Sequence, residues 1–153
     1  MLSAALGLML LAATESDMTL EGTEVCVTSE QLSAFVDRFD KAEKKLPLMT
    51  EETVIEYLQF QMPPSTVDEF VALDERLWTD YLRHIPGYLS KRTSHVESGT
   101  VELWVWWESL EALNRANALP GLSDVYREFD DSFQKPYHTL PVKVYQVCRS
   151  QSE

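Results

Sequence analysis

Cysteine is scarce in this chain of 153 residues, and neither Cys26 nor Cys148 has CxxC or other metal-ligand spacing. A disulfide-dense scaffold and a zinc ribbon or finger are thereby excluded. Two free thiols is the simple reading; in an exported protein, a bridge from the amino-terminal segment to the last strand stays open. Histidine is scarce too, and His84, His95 and His138 include no i, i+3 or i, i+4 pair that could share a metal on one helix face. No metal site is expected. The G-x-S-x-G elbow, the P-loop and the dinucleotide glycine fingerprint are all absent, so the main hydrolase and nucleotide-fold readings lose their usual support.

Positive charge is in short supply. Against 25 Asp and Glu there are 13 Lys and Arg, for a formal net charge of -12, with 8 acidic and 4 basic residues up to position 50 and 17 and 9 beyond it. Such a field repels phosphate backbones and anionic headgroups, and no basic stripe with interleaved aromatics overcomes it locally. Nucleic acid is not an expected partner. The lysines between Lys41 and Lys45 fit the solvated side of a helix.

What is present suits a single folded unit: 44% of residues are hydrophobic and 10% aromatic. Three regions are expected. Residues 1–14 form an apolar segment of signal-core length, too short to span a bilayer as a helix and with no Lys or Arg before it. It reads equally as an export signal or membrane anchor and as a mis-set start or packed tail, so exported, membrane-associated and cytoplasmic placements all stay open. Residues 15–50 read as an acidic linker, a β-prone Val25-Cys26-Val27 and an amphipathic helix. Thr28 and Gln31 have capping-box spacing, and Leu32, Phe35, Val36, Phe39 and Leu46 form the apolar stripe up to Pro47.

Residues 51–149 carry the main domain. Thr53 to Met62 is a β-branched and aromatic strand stopped by Pro63-Pro64, and Ser65 is placed to cap a helix with Val67, Phe70, Val71, Leu77, Trp78 and Tyr81 on its stripe. After Ile85-Pro86-Gly87 come a strand over Tyr88 to Val96, a turn at Glu97-Ser98-Gly99 and the tryptophan strand Val101 to Trp107. Ser109 caps a short helix, a second follows Pro120-Gly121, and Pro141 to Cys148 is the last strand. The class is α+β, a ferredoxin-like β-α-β-β-α-β order with helices on one face of a four-stranded antiparallel sheet.

Alternation along the tryptophan strand sends Val101, Leu103, Val105 and Trp107 to the helix side and Glu102, Trp104, Trp106 and Glu108 to the other. Two tryptophans on that second face would be a large exposed apolar patch on one chain, so Trp104 and Trp106 are expected at a homodimer interface. On the helix side, Asp74 lies seven residues after Val67 in the core-facing stripe, where an unpaired carboxylate would be costly. It is the candidate catalytic residue, a general base or ligand anchor beside Trp78 and Trp107, or else it is held structurally by an indole N–H or an arginine. Leu58, Phe60 and Leu103 are expected to line the same pocket. Trp78 and Trp107 serve as core aromatics and pocket walls. His84 fits a helix end, and His95 and His138 fit solvent positions. Glu56 and Glu102 are placed to pair with Lys143 or Arg92 across the sheet.

The Pro86-Gly87-Tyr88 entry to the second strand, the Trp107-Glu108-Ser109 exit from the third and the element order together resemble the dimeric α+β barrel superfamily, in its antibiotic-biosynthesis-monooxygenase-like branch. VIEYLQFQMPP, the tract ending in Asp74 and Trp78, and VWWES are most similar to an uncharacterised family familiar from cyanobacteria. The resemblance covers about residues 53–148. It implies a dimeric barrel with a pocket between sheet and helices in each subunit, and activities such as cofactor-free oxygenation or haem degradation. In haem-degrading members an Asn on strand one, a Trp leaving strand three and a later His form the site. Here Trp107 alone matches, Tyr57 and Leu58 stand nearest the Asn position, and haem degradation is not carried over. Two functions are therefore expected as alternatives. One is a monooxygenase-like dimer acting on a small apolar or aromatic metabolite by oxygenation or proton transfer, with no bound cofactor. The other is a non-catalytic ligand-binding or interaction module, membrane-associated through residues 1–14.

Overall fold

The computed structural model describes residues 26–27, 47–96 and 98–147. The apolar segment over 1–14, most of the linker and helix expected over 15–50, and Cys148 with its bridge lie outside the described residues.

Strand β1 is Cys26–Val27, and β2 is Val54–Gln61. In β2 the alternation is strict: Val54, Leu58 and Phe60 enter the helix-side core, while Ile55 is fully buried on the opposite face. Proline ends the strand. The expected Ser65 cap does not form. The chain passes instead through a 3-10 turn at Pro64–Thr66, where Thr66 Oγ1 donates to the Pro63 carbonyl at 2.8 Å. Proline near the start of a helix loses no intrahelical hydrogen bond, so a polar cap is dispensable here.

Helix α1 then runs over 67–82. Its first part, Val67–Asp74, is α-helical; Glu75–Thr79 forms a π turn, and Asp80–Leu82 returns to α. Val67, Phe70, Leu73 and Asp74 are buried. The extra residue of the π turn shifts the register of the apolar stripe, an interruption often found at functional sites.

Strands β3 (Tyr88–Val96) and β4 (Thr100–Trp107) form the expected antiparallel hairpin. Two glycines make its ends possible. At Gly87 φ is +91°, and a Cβ would stand 2.5 Å from that of Ala112. At Gly99 φ is +95°, and a Cβ would stand 2.0 Å from the Met62 carbonyl oxygen. Neither place tolerates a side chain without backbone movement.

Helix α2 (Leu110–Asn117) is capped as expected, Ser109 Oγ accepting from the Ala112 N–H at 3.1 Å. Helix α3 is Gly121–Ser132, with Leu122, Tyr126 and Phe129 buried. Two further strands follow, β5 (His138–Thr139) and β6 (Lys143–Val147). The last strand starts at Lys143, not Pro141, and β5 was not foreseen.

Among the described residues the sheet order is β1-β6-β2-β4-β3, with β5 also on β2; β1 pairs parallel to β6 and the other pairings are antiparallel. Strands β2, β3, β4 and β6 with their intervening helices make the β-α-β-β-α-β arrangement, so the α+β, ferredoxin-like class holds. The alternation of β4 also holds. Val101, Leu103, Val105 and Trp107 join the helix-side core, and Trp104 and Trp106 join Ile55 on the other face. That face is not open, however: Trp104 is 4% and Trp106 1% exposed within one chain, with Met49, Tyr57, Leu89 and Tyr145 packed against them. The exposed patch that motivated a dimer is absent. No helix of the described residues is long and apolar enough to cross a membrane.

Candidate functional site

Strand alternation that points Leu58 and Phe60 at the helices points Glu56 there too. Glu56 stands opposite Val105 on β4 and Val144 on β6, both in the helix-side core. Its Oε1 accepts a hydrogen bond from Trp107 Nε1 at 3.3 Å. Burial pushes this carboxyl from 4.5 up to about 7, the indole N–H opposing the shift only in part. The expected cross-sheet partnership of Glu56 with Lys143 or Arg92 is not formed, since both of those residues belong to the other sheet face by register. Glu102 does lie on that face, where it accepts from the Tyr57 hydroxyl at 2.5 Å.

Trp107 is enclosed, with the Tyr88 ring edge-on at 6.1 Å. From the helix layer, Trp78 stands edge-on to Tyr126 at 4.7 Å and to Tyr81 at 6.3 Å. Tyr126 closes the circuit back to the sheet: burial foremost, then the Glu56 charge, holds its phenol in the neutral form, with its pKa raised. Trp78, Tyr126, Trp107 and Glu56 therefore share the helix side of the sheet. Leu58, Phe60 and Leu103 are in the same layer but within its packed core; the Phe60 ring lies tilted against Phe70 at 5.1 Å.

Asp74 is held neither by an indole nor by an arginine. Its partner is Lys91 of β3, whose Nζ also donates to Thr79 Oγ1 at 2.8 Å. Both side chains of the pair are 2% exposed. Burial pushes the Asp74 carboxyl up, and the Lys91 ammonium works against that. The triad joins the residue before the π turn, the last residue of the turn and the middle of β3. It therefore fixes the turn that carries Trp78.

His84 Nδ1 lies 2.8 Å from the Asp80 carbonyl oxygen at the end of α1, and His84, His95 and His138 are all exposed. Among the described residues, no three His, Cys, Asp or Glu side chains gather where they could hold a metal ion.

The sequence matches no family model and no curated protein. Solved structures do match. SnoaB, a cofactor-independent oxygenase from Streptomyces nogalater, superposes with a TM-score of 0.51 at 15% identity, covering 67% of this chain and 99% of SnoaB. A proposed antibiotic biosynthesis monooxygenase from Deinococcus radiodurans gives 0.51 at 17% identity, covering 65% and 97%. One from Caulobacter crescentus gives 0.50 at 12%, covering 64% and 92%. The chain shares the α+β, ferredoxin-like fold of these structures. These neighbours account for nearly all of their own lengths within about two thirds of this chain.

Proposed function

We propose that this is a monooxygenase-like protein that binds a small apolar or aromatic molecule between its sheet and helices. There it performs an oxygenation with dioxygen, or a proton transfer, without a tightly bound cofactor. One observation carries the reading: Glu56, on the helix side of the sheet, accepts from Trp107, its charge reaches Tyr126, against which Trp78 packs, and no cation among the described residues neutralises it. Apolar walls with a few polar groups are what small-molecule sites are built from, and the SnoaB-like fold agrees with such a use. In this reading Asp74, bound to Lys91, anchors the π turn beside the pocket and Trp78 with it.

Mass spectrometry of the natively purified chain, followed by oxygen-uptake assays on any molecule found, tests the proposal. A bound aromatic molecule consumed together with dioxygen is the expected result. A ligand released unchanged, from wild type and from Asp74→Asn alike, would instead indicate a non-catalytic binding module. Homodimerisation is part of the proposal and is read by light scattering. Because Trp104 and Trp106 are enclosed in one chain, their contribution to an interface has to be separated from their contribution to folding.

A further inference from the structure

Trp104 and Trp106 are enclosed within one chain, yet the described residues around them do not account for the enclosure. Of the four side chains packed against this cluster, Tyr57, Leu89 and Tyr145 belong to the sheet itself, and only Met49 comes from outside it. Neighbours in one sheet flank one another without roofing one another; a sheet face is sealed by a second layer. The three helices are not that layer, because their buried apolar residues join the opposite core. The seal also reaches beyond the indoles. By register Ser90, Ser94 and Glu102 take the same face, and all three are buried although the two serines stand on β3, at the edge of the sheet. Trp106 Nε1 is shut off from solvent and has no acceptor among the described residues, which fits an apolar cover.

The path of the chain narrows what the cover is. Val27 pairs with Val147 and Val54 with Gln146, so the chain leaves β1 and enters β2 at the same end of β6. The residues between make an excursion that returns through Met49, on the tryptophan face. Within it Leu32, Phe35, Val36, Phe39 and Leu46 repeat at helical spacing, with Lys41 and Lys45 opposite them. As a helix, 28–46 would be about 28 Å long, whereas five strands ~4.8 Å apart measure about 19 Å from first to last. The stripe is long enough to cross the whole face. We propose that residues 28–46 are the cover: their apolar stripe docks on Ile55, Trp104 and Trp106 and takes the place where a second copy of the chain was expected. A homodimer of this chain then forms through another surface. The assignment does not depend on the ligand reading above.

The test uses the full chain. Acrylamide quenching of tryptophan emission is measured for wild type, for Phe35→Asp/Phe39→Asp, and for Lys41→Ala/Lys45→Ala, which changes the net charge equally on the other side of the stripe. Light scattering gives the mass of each protein, and far-UV circular dichroism shows that it folds. Wild type and the lysine variant should be equally shielded, and should stay so on wide dilution. In the phenylalanine variant two of the four tryptophans become accessible, so the quenching constant should rise about twofold. Adding Trp104→Phe/Trp106→Phe should abolish the rise. If the aspartates prevent folding, Phe35→Ala/Phe39→Ala is read in the same way, with a smaller rise expected. A folded phenylalanine variant as well shielded as wild type, or a rise that survives the loss of Trp104 and Trp106, overturns the proposal. So does wild-type shielding that is lost as dimers part on dilution, which would give the face to a second copy.

Discussion

Glu56→Gln should make the protein more stable, and by an amount set by pH. An amide of nearly the same shape can still accept from Trp107 Nε1, so the substitution removes the charge and little else. The folded-state value of about 7 lies above the ordinary 4.5. Below 4.5 the carboxyl is protonated in both states and contributes no pH-dependent difference. Between 4.5 and 7 the folded chain holds the proton more tightly than the unfolded one, so wild-type stability falls as pH rises. Above 7 the whole penalty is present. Two and a half decades of proton affinity correspond to about 3 kcal/mol, a large share of the ~5–15 kcal/mol that holds a domain together. Urea unfolding of both proteins at pH 4.5, 6, 7 and 8.5 measures it. The two curves should nearly coincide at the lowest pH and separate to about 3 kcal/mol at the highest. A gap that is absent at pH 8.5, or constant across the series, would refute the account of Glu56 as a half-buried, desolvated acid that no cation among the described residues compensates.

Three other outcomes are expected. Lys91→Met leaves Asp74 enclosed without its cation and should cost about 3–5 kcal/mol, while Asp74→Leu combined with Lys91→Met should recover most of that loss in a double-mutant unfolding cycle. Recovery of none of it would mean the pair is not the unit. Gly99→Ala drives a Cβ against the Met62 carbonyl at a positive φ, so it should destabilise by more than the ~1 kcal/mol typical of a glycine position, as read by thermal unfolding. Trp106→Ala should cost about 3–5 kcal/mol because the indole is 1% exposed in one chain. If the double variant with Trp104→Ala stays a folded dimer by light scattering, those two indoles do not make the interface.

Much of the fold was legible because its signals are local. The β2 alternation, Pro63-Pro64, the Gly99 turn and the Ser109 cap each act within a few residues, and the element order follows from them. The π turn was not legible, since the Val67 to Tyr81 spacing is compatible with an uninterrupted helix and the extra residue is absorbed only in three dimensions. Lys91 was missed for a related reason. A lysine in a polar strand reads as solvent-facing, and only the bulge between Tyr88 and Ser90 sets which of β3's residues face the helices. Glu56 was within reach of sequence reasoning. It shares its parity with Leu58 and Phe60, so the rule that sent them to the pocket sends it there too; the prior that charges on strands pair across the sheet obscured this. The enclosure of Trp104 and Trp106 was hidden because alternation tells which face a side chain takes and not what covers that face.

Asp74 and Glu56 are helix-side acids in opposite circumstances. Asp74 and Lys91 cancel each other's charge, and with Thr79 they tie α1 to β3; removing the pair together should be tolerable, as it is for other buried ion pairs replaced by apolar residues. Among the described residues no such cancellation exists for Glu56. One amide in place of its hydroxyl-bearing or ionised oxygen would keep the Trp107 hydrogen bond and abolish a penalty of about 3 kcal/mol at neutral pH. A position where so small a change would stabilise the fold, and where a carboxyl nevertheless stands, makes Glu56→Gln the variant to compare with wild type in the oxygen-uptake assay, since loss of turnover in a more stable protein would separate function from folding.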